Sequence, residues 1–265
     1  MTRQLSSRWA ADKAGEQPDR CLSFTLRGPW GHFRRIEGNI VKQTYRIIPR
    51  TTVAGLLAAV LGIERDGYYT LFAPENSAVA IEPVREIRTI NMPMNTLSTA
   101  ADNLQSLNGR GKVSVKLPDP TALRQQHNYE VLVEPGYRVD VALADEERYS
   151  QLRETLVAGE SHYVPSLGLS EHLAEIEYHG EFTIEAEPRD GTVEIDSAVP
   201  NAVDDVELEP GTRCQVEESP AFMQKDAGGR TTTGFTTYMY NPDAETLDVR
   251  DANPVDVAGR TVVFV

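Results

Sequence analysis

Two helical patterns interrupt a chain whose apolar residues otherwise follow the two-residue period of β-strands. The first runs from Val53 to Leu61 with apolar residues at helical spacing, and Gly62 is placed to end it. Either Thr51 or Thr52 is expected to cap its start. The second begins near Asp145, where acidic residues in the first turn suit the helix macrodipole.

Strand patterns lie before, between and after these helices. Residues 21–27 alternate apolar and polar side chains, so Leu22, Phe24 or Leu26 should face a core. Gly28-Pro29 ends this strand. Further strands are expected at 78–90, at 129–133 and 137–143 around the turn at Pro135-Gly136, and at 176–187, 192–195, 234–240, 246–249 and 261–265.

Residues 91–128 differ from the rest because they are polar, poor in large apolar side chains and carry a turn signal at Asn108–Lys112. They are expected to form an inserted, protruding β-hairpin. The order of patterns predicts an α+β fold with a ferredoxin-like (RRM-like) core. The expected organisation is a polar N-terminal extension (1–20), a core domain (21–180) containing the insertion, and a β-rich C-terminal region (181–265).

Charge is distributed unevenly along the 265 residues, whose formal net charge is −14. Residues 1–128 carry 17 basic and 11 acidic side chains, a net of +6, whereas residues 129–265 carry 9 basic and 29 acidic side chains, a net of −20. Such asymmetry points to a polyanion partner for the basic half. Clustering by chance on a hydrated surface is the alternative.

Lysine is scarce, since 21 of the 26 basic residues are arginine. Together with the acidic excess, this favours adaptation to a salt-rich cytoplasm over an ordinary acidic protein. No apolar run is long enough for a transmembrane helix, and the polar N-terminus is unlike a secretory signal. Two cysteines build neither a disulfide framework nor a four-cysteine zinc site. A cytoplasmic location is expected, with no membrane partner.

Several segments are similar to a known family. They are Gly28-Pro29-Trp30-Gly31-His32-Phe33-Arg34, the stretch from Tyr45 to Asp66 with its Pro49-Arg50-Thr51 and Gly55-Leu56-Leu57 elements, Tyr163–Glu171, and the closing Val262–Val265. From about Leu22 to the end, the chain resembles the Cas-five family, RAMP-superfamily subunits of type I CRISPR Cascade complexes. With its acidic composition, it is most similar to the type I-B branch of haloarchaea.

The resemblance implies a non-catalytic RNA-binding subunit in antiviral defence. Such a subunit holds the 5′ handle of the CRISPR RNA (crRNA) and contacts a backbone subunit (Cas-seven type) and a large subunit (Cas-eight type). The insertion would be the thumb of the RAMP fold, with Arg110, Lys112 and Lys116 facing RNA. The expected RNA-binding residues elsewhere are Arg27, Trp30, His32, Arg34, Arg35, Lys42, Tyr45, Arg46, Arg50, Thr51 and Thr52.

These residue types suit RNA physically. Arginine binds phosphate through two parallel hydrogen bonds, a helix N-terminus offers free N–H groups, and aromatic rings stack on unpaired bases. The alternatives are that Trp30 and Phe33 belong to the core and that Gly28 and Gly31 serve only a turn. Gly228–Gly234 resembles a degenerate glycine-rich loop of RAMP proteins, although the sequence alone favours a hairpin turn ahead of a strand at 235–240.

The rival function is a metal-independent endoribonuclease that processes CRISPR precursor RNA, as in the type I-C branch. The resemblance places a tyrosine near Tyr45, but no adjacent Lys-His pair follows, and Lys112, Lys116 and His127 do not match the spacing. We therefore expect no catalysis. The histidines show no metal-ligand spacing, and we expect neither a metal nor a cofactor.

Overall fold

The computed structural model describes residues 18–35, 41–97, 124–185, 191–226, 229–250 and 252–265. Strands predominate in these residues, and the two helices among them are α1 (Arg50–Leu61) and α2 (Glu146–Ala158). The strands are β1 (Arg20–Arg27), β2 (Trp30–Gly31), β3 (Phe33–Arg34), β4 (Val41–Lys42), β5 (Thr44–Tyr45), β6 (Ser77–Pro83), β7 (Arg88–Leu97), β8 (Arg124–Val133), β9 (Gly136–Leu143), β10 (Glu175–Glu185), β11 (Thr192–Ile195), β12 (Val199–Pro200), β13 (Val206–Glu207), β14 (Gln215–Asp226), β15 (Gly229–Tyr240), β16 (Leu247–Arg250), β17 (Val255–Val257) and β18 (Arg260–Val262).

Six strands form the main antiparallel sheet, in the order β18-β17-β10-β1-β9-β6. The alternation in residues 21–27 correctly predicted β1, and Leu22, Phe24 and Leu26 are fully buried in the core. Ser23 and Thr25 point to the opposite face and are also buried. Both faces of this central strand are therefore covered.

The end of α1 and the start of α2 are as predicted, whereas the start of α1 differs from the prediction. Gly62 closes α1 with φ of 71°, and Asp145 caps α2 by accepting a hydrogen bond from the Arg148 N–H at 3.0 Å. The N-cap of α1 is Pro49, which makes no side-chain cap bond. The prediction of a threonine cap is wrong because the helix begins one residue before Thr51.

The main sheet curls back on itself. Val79 of β6 and Val265, after β18, exchange two backbone hydrogen bonds of 3.0 Å, which joins the two edges of the sheet. Val257 and Val262 pack with Cys21 in a small apolar cluster on the face that carries Ser23. This curled sheet thus has an interior of its own, opposite the helices.

The region predicted as one strand at 78–90 contains two strands, β6 in the main sheet and β7 in a second, smaller sheet. β6 ends at Pro83, the Ile87 N–H donates to the Pro242 carbonyl at 2.7 Å, and β7 then pairs with β8 from Arg88↔Val133 onward. β2 and β4 complete this sheet. β8 and β9 flank Pro135-Gly136 as predicted but lie in different sheets.

The β7–β8 ladder contains the two ends of the predicted insertion at 91–128. Residues 98–123, with Arg110, Lys112 and Lys116, lie outside the described residues. The N-terminal extension also lies outside them as far as residue 17.

Beyond β10 the chain forms two three-stranded sheets, β11-β16-β13 and β12-β15-β14. The strand pattern at 192–195 is confirmed, but the sequence analysis missed β14, twelve residues long. The expected boundary at residue 180 falls inside β10, and Tyr238 and Tyr240 of β15 are buried in the main core.

Candidate nucleic-acid interface

Two segments singled out in the sequence, 28–34 and 163–171, pack against each other. The His32 N–H donates to the Leu167 carbonyl at 3.0 Å. Gly168 has φ of 93°, and a Cβ at this position would lie 1.9 Å from the His32 carbonyl oxygen. The contact therefore requires glycine twice over, for backbone conformation and for space.

Gly28 and Gly31 also serve close packing. A Cβ at Gly28 would lie 2.7 Å from the Leu173 carbonyl oxygen, and one at Gly31 would lie 3.1 Å from Pro135 Cγ. Space for neighbouring chain, rather than turn geometry alone, explains glycine at both positions.

The contact between these segments buries His32, whose side chain is 1% exposed. Its Nδ1 lies 2.8 Å from the Glu130 carbonyl oxygen, and its ring meets Tyr129 edge-on at 5.0 Å between centroids. Burial lowers the pKa of His32, which favours a neutral imidazole. The expectation that His32 stacks on RNA is wrong, because no ring face is open to a base.

Two further aromatic candidates belong to the core. Phe33 is 2% exposed, and its ring centroid lies 6.0 Å from that of Tyr137. The alternative that Phe33 belongs to the core is therefore confirmed. Tyr45 is 6% exposed, and the Arg35 guanidinium lies over its ring at 5.2 Å. Tyr45 thus interacts with a cation of its own chain and leaves little surface for a base.

One face of the small sheet gathers polar and aromatic side chains at the surface. Lys42 of β4 is in register with Tyr129 of β8, and Trp30 of β2 is in register with Val133, two pairs further along the same face. Trp30, Lys42, His127 and Tyr129 are all partly exposed. We call these four residues the arm-base face, because β7 and β8 lead from it into residues 98–123.

Three arginines of the neighbouring segment differ in how firmly they are held. Arg34 is exposed and has no ion pair among the described residues. Arg35 lies 3.5 Å from Glu217, and Arg46 donates to Glu130 at 2.7 Å. Arg34 is consequently the arginine most available to a phosphate.

Arg27 belongs to another surface. It ends β1 in the main sheet and pairs with Glu177 of β10 at 3.2 Å. The structure does not bring it to the arm-base face.

Arg50 is an internal structural residue with 1% exposure. Its guanidinium donates to the carbonyls of Val265 (3.1 Å), Phe72 (2.7 Å) and Ser77 (3.0 Å), and it lies 4.3 Å from the centre of the Phe222 ring. Burial lowers its pKa to about 10. The expectation that Arg50 binds RNA is wrong because its donors are used inside the core.

The start of α1 is also covered. Pro49 and Arg50 are buried, and the Thr51 hydroxyl donates to the Pro220 carbonyl of β14 at 3.4 Å. Thr52 donates its N–H to the Pro49 carbonyl at 2.8 Å. The Thr51 hydroxyl is therefore used by β14, whereas the half-buried Thr52 stays a prediction.

Two glutamates that the sequence analysis missed organise the basic segment. Glu217 is 5% exposed and accepts hydrogen bonds from the N–H groups of Arg46 (2.7 Å) and Ile47 (3.1 Å). Burial raises its pKa, and these bonds oppose the shift. The Glu130 carboxylate accepts hydrogen bonds from the Arg46 guanidinium and from the Thr44 N–H. No sequence signal links them to this segment, since they lie far away along the chain.

Residues 229–234 of the glycine-rich stretch belong to β15 and pair with β14, so this strand begins before the predicted residue 234, and Gly228 is outside the described residues. Arg230 donates through Nε to Asp66 at 2.5 Å.

Across the described ranges, no three His, Cys, Asp or Glu side chains come together as a metal site would need. Neither described helix is long and apolar enough to cross a bilayer.

Comparison with protein families gives a match to the family described as CRISPR-associated protein (Cas_Cas5) over residues 21–241. The chain belongs to this family. The match contains the arm-base face, both packed segments and Arg50. A search of curated proteins gives no match.

Solved structures resemble this family member at low sequence identity. A CRISPR protein from Archaeoglobus fulgidus has a TM-score of 0.50 and 17% identity, covering 92% of this chain and 98% of that one, which shows a shared fold. A chain of a CRISPR RNA-guided surveillance complex has a TM-score of 0.49 and 14% identity, covering 92% of this chain and 91% of that one.

Proposed function

We propose that this Cas_Cas5 member is a non-catalytic crRNA-binding subunit of a type I Cascade complex that holds the 5′ handle of the guide. The observation that carries the proposal is the arm-base face, which lies within the family match and exposes Lys42 and Trp30 with Arg34 beside them. Cations that track a backbone, next to aromatic rings that accept bases, are the features of single-stranded RNA sites.

The topology supports a ferredoxin-like core and a thumb. β1, α1, β6, β9, α2 and β10 follow in chain order, and the four strands lie in the sheet order β10-β1-β9-β6. This is the βαββαβ arrangement of ferredoxin-like folds. The antiparallel β7–β8 pair supports a hairpin thumb at the predicted insertion, whose Arg110, Lys112 and Lys116 lie outside the described residues.

The partners we propose are the crRNA and the backbone (Cas-seven type) and large (Cas-eight type) subunits, in the type I-B branch of haloarchaea. Exposed apolar side chains such as Val157 (67%) and Val164 (74%) are available for subunit contacts. The acidic excess supports the halophilic origin.

The proposal of a non-catalytic subunit is supported by Tyr45. A general base for the 2′-hydroxyl must reach its substrate within hydrogen-bond distance, and Tyr45 is 6% exposed beneath Arg35. Incubation of the protein with repeat RNA in molar KCl without metal should leave the RNA intact. Specific cleavage would establish the endoribonuclease instead.

The handle site is tested by fluorescence anisotropy with handle RNA and with a scrambled RNA of equal length. Changing Arg34→Gln and Lys42→Gln together should weaken handle binding and lower the slope of log K against log salt by about 0.7 for each lost phosphate contact. The control is Arg148→Gln, an exposed arginine on α2. An unchanged affinity and slope in the double variant would rule out the arm-base face.

A further inference from the structure

The interior face of the curled main sheet is apolar at one end and polar at the other. Toward one end, Cys21, Val257 and Val262 are buried in an apolar cluster. Two and four residues further along β1 on the same face, Ser23 and Thr25 begin a polar region. Ligands bind preferentially at the ends of closed sheets, so this polar end is a candidate site.

A β-bulge directs His179 onto this polar end. The register of β1 against β10 changes from Ser23↔Gly180 to Phe24↔Tyr178, which leaves His179 as the extra residue. Its Nε2 lies 2.7 Å from Thr25 Oγ1. Bulges often re-aim a side chain at functional sites.

Arg27, Arg138 and Arg260 lie around the bulged His179. They differ in whether a carboxylate neutralises them. Arg260 is neutralised by Glu82 and Asp140, both at 2.7 Å. Arg138 donates through Nε to Ser23 Oγ at 2.7 Å but forms no ion pair with a described carboxylate. Arg138 thus has no carboxylate within ion-pair distance among the described residues, although Asp140, Glu82 and Glu177 lie near enough to raise its pKa.

Arg27 adds a second guanidinium at this polar end. Its Nε is buried and has no hydrogen-bond partner among the described residues, although its Nη1 pairs with Glu177 at 3.2 Å. That ion pair is exposed on both sides, at 42% and 57%, so it contributes little and exchanges readily for another anion.

Electrostatics support the crowding of positive charge here. Burial lowers the pKa of His179, and Arg138, Arg260 and Arg27 lower it further, against the opposing effect of Glu177. Burial lowers the pKa of Arg138 and Arg260 lowers it further, against the opposing effects of Asp140, Glu82 and Glu177. A bound anion between these groups would relieve their repulsion.

We propose that Arg138, Arg27 and His179, whose ring Thr25 holds in place, bind a phosphate group at the polar end of the curled main sheet. Arginine forks and an imidazole N–H match the oxygens of phosphate. The site is separate from the arm-base face and does not depend on the proposed handle binding. The phosphate belongs either to an RNA strand or to a free nucleotide or inorganic phosphate, which share this chemistry.

The experiment follows the His179 ring resonance by NMR in the full-length protein with ring-labelled histidine. Three probes are titrated at constant ionic strength: inorganic phosphate, uridine 5′-monophosphate and a uridine oligomer. A saturable shift with all three assigns a free-phosphate site, and a shift with the oligomer alone assigns an RNA-backbone site. Absence of a saturable shift with every probe overturns the proposal.

Matched variants make the result specific. Arg138→Gln should weaken binding at least about tenfold, since it removes a charged hydrogen-bond donor, and Thr25→Val should weaken it less. Arg148→Gln should leave the shift unchanged, as should the Arg34→Gln/Lys42→Gln double variant, which separates this site from the handle site. An Arg138→Gln protein that folds and binds with unaltered affinity would contradict the assignment.

Discussion

Two arginines of the basic segment 27–50, Arg34 and Arg50, carry the same side-chain chemistry in opposite surroundings. Arg34 is exposed next to the arm-base face, whereas Arg50 is buried and bound to three backbone carbonyls. Between them, Arg46 is tied to Glu130. A run of arginines therefore does not by itself define a nucleic-acid surface, because a guanidinium also serves as an internal cross-link between loops.

Removal of the internal arginine should have the largest effect. Arg50→Met leaves the buried carbonyls of Val265, Phe72 and Ser77 without this donor, so the free energy of unfolding should fall by about 3 kcal/mol or more. Urea unfolding followed by circular dichroism measures this loss. A variant as stable as the wild type would show that Arg50 is not the cross-link described.

The contact between the segments at 28–34 and 163–171 gives the next largest effect. Gly168→Ala would strain the backbone and collide with the His32 carbonyl, so we expect a loss of more than about 3 kcal/mol. Gly191→Ala is the matched control, because Gly191 has the same φ of 93° with no atom within 4 Å of the added Cβ. Equal losses in both variants would mean that the close approach adds nothing to the backbone term.

The same contact should make stability depend on pH. Burial lowers the pKa of His32 and of His172, each of which has a ring nitrogen without a partner among the described residues. Below about pH 6.5 the unfolded chain takes up protons that the folded protein does not, so stability is lost as pH falls and is unaffected by these groups at pH 8.

Each histidine should account for about 1 kcal/mol between pH 7.5 and 5.5. Urea unfolding at several pH values compares the wild type with His32→Gln. The variant should show the shallower loss of stability on acidification, whatever its stability at pH 8. If the free energy of unfolding depends on pH in the same way in both proteins, His32 is not a cause of the pH dependence.

Removal of the exposed arginine, Arg34, should have the smallest effect on stability. Arg34→Ala should change the free energy of unfolding by less than about 0.5 kcal/mol, because Arg34 is exposed without an ion pair in the described ranges. The same variant should bind handle RNA more weakly. If it unfolds as readily as Arg50→Met, the contrast between the two arginines fails.

Local patterns predicted local structure well. The alternation at 21–27, the helical spacing at 53–61 and Gly62 each describe residues whose neighbours in sequence determine their conformation. The pattern at 78–90 failed because β7 pairs with β8 in another sheet, a choice made by distant hydrogen-bond partners. β14 was missed since its apolar residues alternate only in part.

Sequence alone established the family, through segments whose glycines and apolar residues meet in space, and it located the basic half of an acidic chain. Only the tertiary structure decided which basic and aromatic residues remain at the surface. Burial depends on contacts across the chain: β14 covers the start of α1, Glu217 holds Arg46 in place, and the 163–171 segment encloses His32. The same folding brings Arg138 and His179 together, because sheet pairing and a bulge place them beside Thr25.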